Sequence, residues 1–362
     1  MRPDSVGELP MGRRERLFAG VFVILLAWLA LQPMDEWVAG YRSMYGFNRP
    51  TPITKMVEFR PAAVTGILAG AMLGSFRGVA ANFLWLKMHR LWDMGQASAL
   101  GRTGEAEDVL RTVTLLDPHW LEPWTFAGWH YAYNLSYEAE AVHNYEFQGE
   151  FIQRGINYLV EGVSYNPGTY ELYFETAWTY FDKLKEYDEA AKWARATLTF
   201  THPEYIPRQI GHMYERKPDI PLALDWYDYC MKQNPADGTA RGAILTIRER
   251  YLPAWRLMEQ GKCDEALKSV QYYLNVEPKD RIGLHLKATI YERKGDLRKA
   301  LDTWRFAAQS LAINWYAERQ AARLSAKLGV PAPADTVYLP EGPPSLRRPT
   351  GAGGALPTRP GG

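Results

Sequence analysis

Cysteine is almost missing from this chain: Cys230 and Cys263 are the only two in 362 residues. That excludes a disulfide-stapled framework and a cysteine-only zinc site. A charge surplus is missing as well. With 42 Lys+Arg against 41 Asp+Glu, the formal net charge is +1. A dedicated nucleic-acid binder needs a basic excess to displace counterions from phosphates, so no nucleic-acid partner is expected. The short motifs of catalysis and cofactor binding are absent too. There is no H-E-x-x-H, no C-x-x-C-H, no G-x-x-x-x-G-K-[ST] and no G-x-S-x-G. The histidines (His89, His119, His130, His143, His202, His212 and His285) form no H-x-x-x-H pair, and Pro123 interrupts the one helical spacing, His119 to His130. They read as surface or core side chains, and no metal, cofactor or catalytic activity is expected. What is abundant is apolar and aromatic material: 47% of residues are apolar, with 13 Trp, 22 Tyr and 13 Phe. Such a chain can build a sizeable core, which excludes wholesale disorder.

No uninterrupted apolar run reaches the ~20 residues that comfortably cross a bilayer. Residues 17–31 come nearest, fifteen residues without a polar side chain. Tilt, local thinning and snorkelling of Arg16 make up the shortfall. Arg2, Arg13, Arg14 and Arg16 precede the run and Asp35-Glu36 follow it, which places the N-terminus in the cytoplasm by the positive-inside rule. Ala27-Trp28-Leu29-Ala30 is a poor cleavage site, so an uncleaved anchor is expected. The expected order is a cytoplasmic tail over 1–16, a transmembrane anchor over 17–39 and a connecting segment over 40–60. A second stretch, 62–76, carries Gly66, Gly70 and Gly74 at spacing four. These glycines share one helix face and would let another helix approach closely. The long helix expected over 61–95 is either a second span or an interfacial helix running on into Phe83-Leu84-Trp85-Leu86. The choice decides topology, since a second span would return the C-terminal part to the cytoplasm.

From about residue 100 the chain repeats itself. Ala266-Leu267 recurs as Ala300-Leu301, 34 residues later. Ala223-Leu224 lies 43 residues before Ala266-Leu267, one period plus a nine-residue insert, and Ala190-Ala191 lies 33 before that. Pro118, Pro167, Pro203, Pro235 and Pro278 punctuate the same register. The residue before proline is pushed out of the α region, so each marks a helix end. Within the period, small residues and aromatics fall at fixed places. The unit from Glu204 has Gly211, Tyr214, Ala223, Tyr227, Cys230 and Pro235; the unit from Arg281 has Ala288, Tyr291, Ala300, Trp304 and Ala307, with Ala312 in place of proline. The unit from Ile247 has Ala254, Leu257, Ala266, Val270 and Pro278, and departs at Tyr273. The unit from Glu171 has Phe181, Ala190, Ala194 and a late Pro203, with Trp178 where a small residue is wanted.

These residues resemble the tetratricopeptide repeat, a 34-residue helix–turn–helix unit. The resemblance implies an all-α, right-handed solenoid over 96–328, with four clear and two degenerate units, behind an N-terminal transmembrane helix. Upstream the match decays: Gly128 and Tyr131 suit a first helix, Gly155, Leu159 and Gly162 a second, with about fifteen extra residues between them. Ala106, Leu110 and Val113 suit a unit ending at Pro118. The N-terminal third is also similar to an uncharacterised group of bacterial membrane-anchored repeat proteins, through Ser75-Phe76-Arg77-Gly78 and Leu84-Trp85-Leu86. Ser75 stands where that group has glycine and Asn82 where it has an acid, and the likeness brings no activity with it. After Gly329 the composition turns Pro/Gly-rich, and 329–362 reads as a disordered tail.

In tetratricopeptide repeats certain first-helix positions face a concave groove. Here they give Tyr205, Arg208, His212 and Arg216, then Tyr251 and Trp255, then His285 and Arg293. Aromatics with arginine suit a protein interface. The lysine/asparagine set that clamps a C-terminal carboxylate in some family members is absent. The sequence thus points to a non-enzymatic scaffold at a bacterial inner membrane, single-pass, with its repeats in the periplasm unless 62–76 also spans. Its partners would be other proteins or peptides. The alternative is a structural subunit of a membrane enzyme, transporter or secretion complex. Oligomeric state is not legible.

Overall fold

The computed structural model describes residues 77–93, 103–311 and 314–331. The chain divides into two compact units, Met1–Phe59 and Arg60–Gly362, and every described residue lies in the second. The expected tail 1–16, anchor 17–39, connecting segment 40–60, glycines 66, 70 and 74, and residues 332–362 fall outside the described residues. Among the described residues no helix is long and apolar enough to cross a membrane, and none forms a strand.

The chain runs as helix after helix. Helix α1 spans Arg77–Asp93 and α2 Thr103–Leu116. Helix α3, Leu121–Trp129, passes through a π segment, His130–Leu135, into α4, Ser136–Ala141. Helix α5 is Tyr145–Tyr165. Helix α6, Tyr170–Thr179, ends in a π segment, Tyr180–Leu184, and α7 is Tyr187–Thr197. Then come α8, Ile206–Arg216, and α9, Ile220–Gln233. Helix α10, Gly238–Thr246, runs through a third π segment, Ile247–Tyr251, into α11, Leu252–Glu259. The last four are α12 Cys263–Val276, α13 Arg281–Lys294, α14 Leu297–Ser310 and α15 Trp315–Leu328. Packing follows chain order: α1 on α2, α3 on α5, α6 on α7, α8 on α9, α11 on α12, α13 on α14, and α14 on α15. Because α1 pairs with α2, the stack of helices extends upstream of residue 96.

Local chemistry sets the boundaries. Every helix preceding one of the punctuating prolines ends before it, α9 at Gln233 before Pro235 and α12 at Val276 before Pro278. Asn144, Asp237, Asp280, Asp296 and Asn314 are N-caps whose side chains accept from backbone N–H groups of the first turn. Gly295 closes α13 at φ 85° and Gly329 closes α15 at φ 65°, conformations that cost glycine little.

The crossings explain the small residues. Gly211, buried in α8, faces the Tyr227 ring of α9, where a Cβ would come within 2.9 Å. Ala223, Ala254, Ala266, Ala288 and Ala300 are all fully buried. Trp124, Trp226 and Trp304, at most 1% exposed, fill the spaces between helices, each large ring removing ~150–250 Å² from water. Gly128 and Gly155 let α3 and α5 cross closely, since a Cβ on Gly155 would lie 2.8 Å from the Gly128 carbonyl.

Three details differ from the sequence expectation, and a π segment lies in the first helix of each unit concerned. The extra residues between Pro118 and Pro167 make no loop; they lengthen both helices of that pair. The nine-residue insert likewise becomes α10, an upstream extension of α11. Pro253 sits there near the helix start, and the Glu249 carbonyl, four residues before it, accepts instead from the Tyr273 hydroxyl at 3.2 Å. In the unit from Glu171, the wide turn over Tyr180–Leu184 absorbs one residue. The buried small/aromatic pair is therefore Ala177 and Tyr180, at 0% and 1% exposure. Trp178 and Phe181, one place later, are only half-buried.

Candidate functional site: the faces of the first helices

First helices meet across the array: α3 lies against α6 of the next pair and, further on, α8 touches α13, two pairs along. Their shared faces behave differently at the two ends.

Between α3 and α6 lies a cleft of about 400 Å³, lined by Glu122, Thr125, Phe126, Trp129, Glu171 and Glu175. Three lining residues are carboxylates and none is lysine or arginine. Glu175 is anchored: the Trp129 indole N–H donates to its Oε2 at 2.8 Å. Burial raises the Glu175 carboxyl above its ordinary range, and the indole bond opposes that rise. Trp129 remains 46% exposed and stacks on Tyr133 at 4.5 Å between centroids. Behind the cleft, Phe126 meets Trp92 and Trp85 edge-on at 5.6 and 5.1 Å, so α1 braces the floor. The ring-lined surface continues along α6, where Phe174 stacks on Trp178 and takes the edge of Tyr205 at 5.6 Å.

Toward the C-terminus the same face is filled by the chain itself. His285 is fully buried. Its Nδ1 lies 3.0 Å from the Arg216 carbonyl and its Nε2 lies 3.1 Å from Asn314 Nδ2. Those partners dictate the tautomer: Nδ1–H donates to the carbonyl, and Nε2 accepts from the amide. Burial lowers the His285 pKa to about 4, with the Arg281 and Arg216 charges acting in the same direction. Trp304 and Tyr316 pack on its ring at 5.1 and 5.2 Å, and Tyr316 meets Tyr187 at 5.1 Å. Arg319 of α15 then reaches the end of the second π segment. Its guanidinium donates to the Leu184 and Lys185 carbonyls, both at 2.8 Å, and pairs with Glu186 at 3.2 Å.

This closure corrects part of the groove expected from sequence. His285 cannot meet a partner as placed, because α15 and the end of α8 enclose it. Tyr251 is 3% exposed, its hydroxyl donating to Asp280 Oδ2 at 2.9 Å. Arg208 is held by Asp237 at 2.7 Å. His212 lies 2.7 Å from the Tyr227 hydroxyl, which donates to Glu215 at 2.6 Å. Arg216 and Trp255 are half-buried; Tyr205, at 39%, and Arg293 are exposed. Of the eight, Tyr205 meets the Phe174 ring of α6 and continues the open surface. Sequence reasoning missed Glu122, Trp129, Glu171 and Glu175. The available signal was acid and aromatic residues one helical turn apart just after Pro118 and Pro167. Among the described residues, no three or more His, Cys, Asp and Glu side chains are grouped as metal ligands.

No family model matches the chain, and no curated protein does. Solved structures do. A TPR protein, YrrB, described as having an unusual peptide-binding site, is 16% identical; the match covers 58% of this chain and 96% of that one, with a TM-score of 0.27. A tetratricopeptide repeat protein from Parabacteroides merdae is 15% identical over 69% of this chain and 87% of that one, TM-score 0.36. The TPR domain of P58(IPK) is 14% identical over 74% and 89%, TM-score 0.34. From its own geometry, the periodic helix pairs with small residues buried at their crossings, the chain is an all-α helical-repeat protein, similar to the proteins of the tetratricopeptide family.

Proposed function

We propose that this chain is a non-catalytic interaction scaffold, its helix pairs winding as a right-handed tetratricopeptide-type solenoid. It takes an extended, lysine- or arginine-bearing segment of a partner protein into the cleft between α3 and α6. The observation that carries this reading is the lining of that cleft: Glu122, Glu171 and Glu175 beside the rings of Phe126 and Trp129, with no lysine or arginine among the lining residues. A cation entering such a site gains Coulombic attraction and a ring face. We further propose that residues 17–39 hold the scaffold at a bacterial inner membrane as a single pass, with the repeats in the periplasm, or in the cytoplasm should 62–76 also span.

The test is fluorescence anisotropy with the full chain in detergent. The probes are one Lys/Arg-rich peptide and one Asp/Glu-rich peptide of equal length. The basic peptide is expected to bind, and Trp129→Ala or Glu175→Gln to weaken it about tenfold. Equal binding of both peptides, or no effect of either substitution, would remove the cleft from the account. Stoichiometric co-purification of a membrane complex that survives both substitutions would favour the structural-subunit alternative.

A further inference from the structure

Helix α1 has two apolar faces. One is buried: Ala81, Trp85, Met88 and Leu91 are at most 6% exposed, and α1 packs on α2. The other is bare. Val79, Phe83 and Leu86 stand 53%, 70% and 66% exposed. At 3.6 residues per turn these three and exposed Arg90 fall within about 60° of one another, opposite the buried set. A surface helix that only needed solubility would be polar here.

We propose that this stripe lies in the headgroup–acyl boundary of an anionic bilayer, so that α1 holds the first helix pair flat against the membrane. This rests on the membrane tether proposed above. Two features select lipid over a protein partner. The charged residues of α1 before Asp93 are all basic, Arg77, Lys87 and Arg90. Lys87 pairs with Glu105 at 2.7 Å, while Arg90 ends the stripe with a side chain long enough to reach phosphates from a helix lying in the interface. The chain immediately before α1, residues 62–76, carries no charged side chain, so lipid-compatible sequence leads directly into the bare face. The same placement brings the floor of the α3/α6 cleft, braced by Trp85 and Trp92, to the membrane side of the molecule.

The experiment uses the full chain reconstituted into phosphatidylcholine/phosphatidylglycerol vesicles. An environment-sensitive dye is attached at position 83 (Phe83→Cys) or, as control, at position 272 (Tyr272→Cys), which is also exposed. Both native thiols are buried and do not compete. Flotation of the vesicles reports the tether. Quenching by brominated lipid reports α1. The expected result is flotation of both proteins, with the dye at 83 quenched at least threefold and the dye at 272 unchanged. Flotation with equal, weak quenching at both positions overturns the interfacial helix and leaves the tether standing. Disulfide cross-linking between two copies of the unlabelled Phe83→Cys protein, with no quenching in the labelled one, replaces lipid with a second copy and also overturns it. Failure to float overturns both. Leu86→Glu in the labelled protein should abolish the quenching while flotation persists.

Discussion

The Arg319 guanidinium donates to the Leu184 carbonyl at 2.8 Å, joining residues 135 apart in sequence. Leu184 ends the π segment Tyr180–Leu184, and a helix end leaves carbonyls without intrahelical donors. A distant cation supplies them here, and through them the last described helix is bound to the middle of the chain. Arg319→Ala should destabilise the protein by about 2 kcal/mol, the scale of hydrogen bonds to a charged group. Arg319→Lys should recover little, since an ammonium cannot match the planar fork. Urea denaturation of the three proteins checks both.

His285 makes stability depend on pH. Its folded pKa is lowered to about 4, below the ~6.5 of an unfolded chain. The unfolded state therefore binds the extra proton first. The contribution is complete above pH 6.5 and is lost as pH falls from 6.5 toward 4. Between pH 7 and pH 5 the loss should be about 2 kcal/mol from this group. The difference between wild type and His285→Gln, measured by urea denaturation at both pH values, isolates it; parallel pH dependences would contradict the neutral, buried imidazole.

Two glycines should respond in opposite directions. Gly155→Ala places a methyl 2.8 Å from the Gly128 carbonyl and 2.9 Å from Ala132, and should cost ~1–3 kcal/mol as overpacking. Gly242, inside α10, has nothing within 4 Å of the added carbon. Gly242→Ala should gain ~0.5–1 kcal/mol from helix propensity alone. Thermal melts of both variants provide the comparison.

Glu175 should give cleft binding its own pH signature. Its carboxyl titrates above the ordinary range because it is buried. Affinity for a basic peptide should therefore begin to fall, on acidification, at a higher pH in wild type than in Glu175→Gln. Anisotropy titrations across the acidic range read this directly. Added salt should weaken the wild type more than the variant.

The thiols should be silent in the folded protein. Cys230 and Cys263 are both buried, and burial pushes the Cys230 thiol up to about 11, with Asp237 acting in the same direction. A thiol-reactive chromogen at pH 8 should register neither cysteine until denaturant is added.

Much of this architecture was legible because it is encoded locally. Pro235 and Pro278 end helices by backbone sterics, and Gly211 or Ala300 permit close crossings, wherever the chain goes next. Trp178 was misread because a single residue absorbed in a π turn leaves no mark in composition while rotating everything before it. The groove was half legible. Counting repeat positions identifies which residues point inward, and Tyr251 and His285 do point inward. Whether that inside is open depends on contacts such as Tyr187 to Tyr316, over a hundred residues apart, which no periodicity announces. The cleft residues Glu122 and Trp129 sit in the unit whose helices were lengthened, where the repeat pattern had faded and position counting gave no purchase.

Arrays built only from neighbour contacts come apart like a zipper, because the terminal unit has one neighbour and loosens first. Arg319 gives the last described helix a second attachment, at Leu184 and Lys185. Loosening α15 means releasing residues from the middle of the chain at the same moment. The end of the array thus behaves as a keystone: trimming the chain before residue 315 should loosen the end of α6 as well as α14, which loses its packing partner.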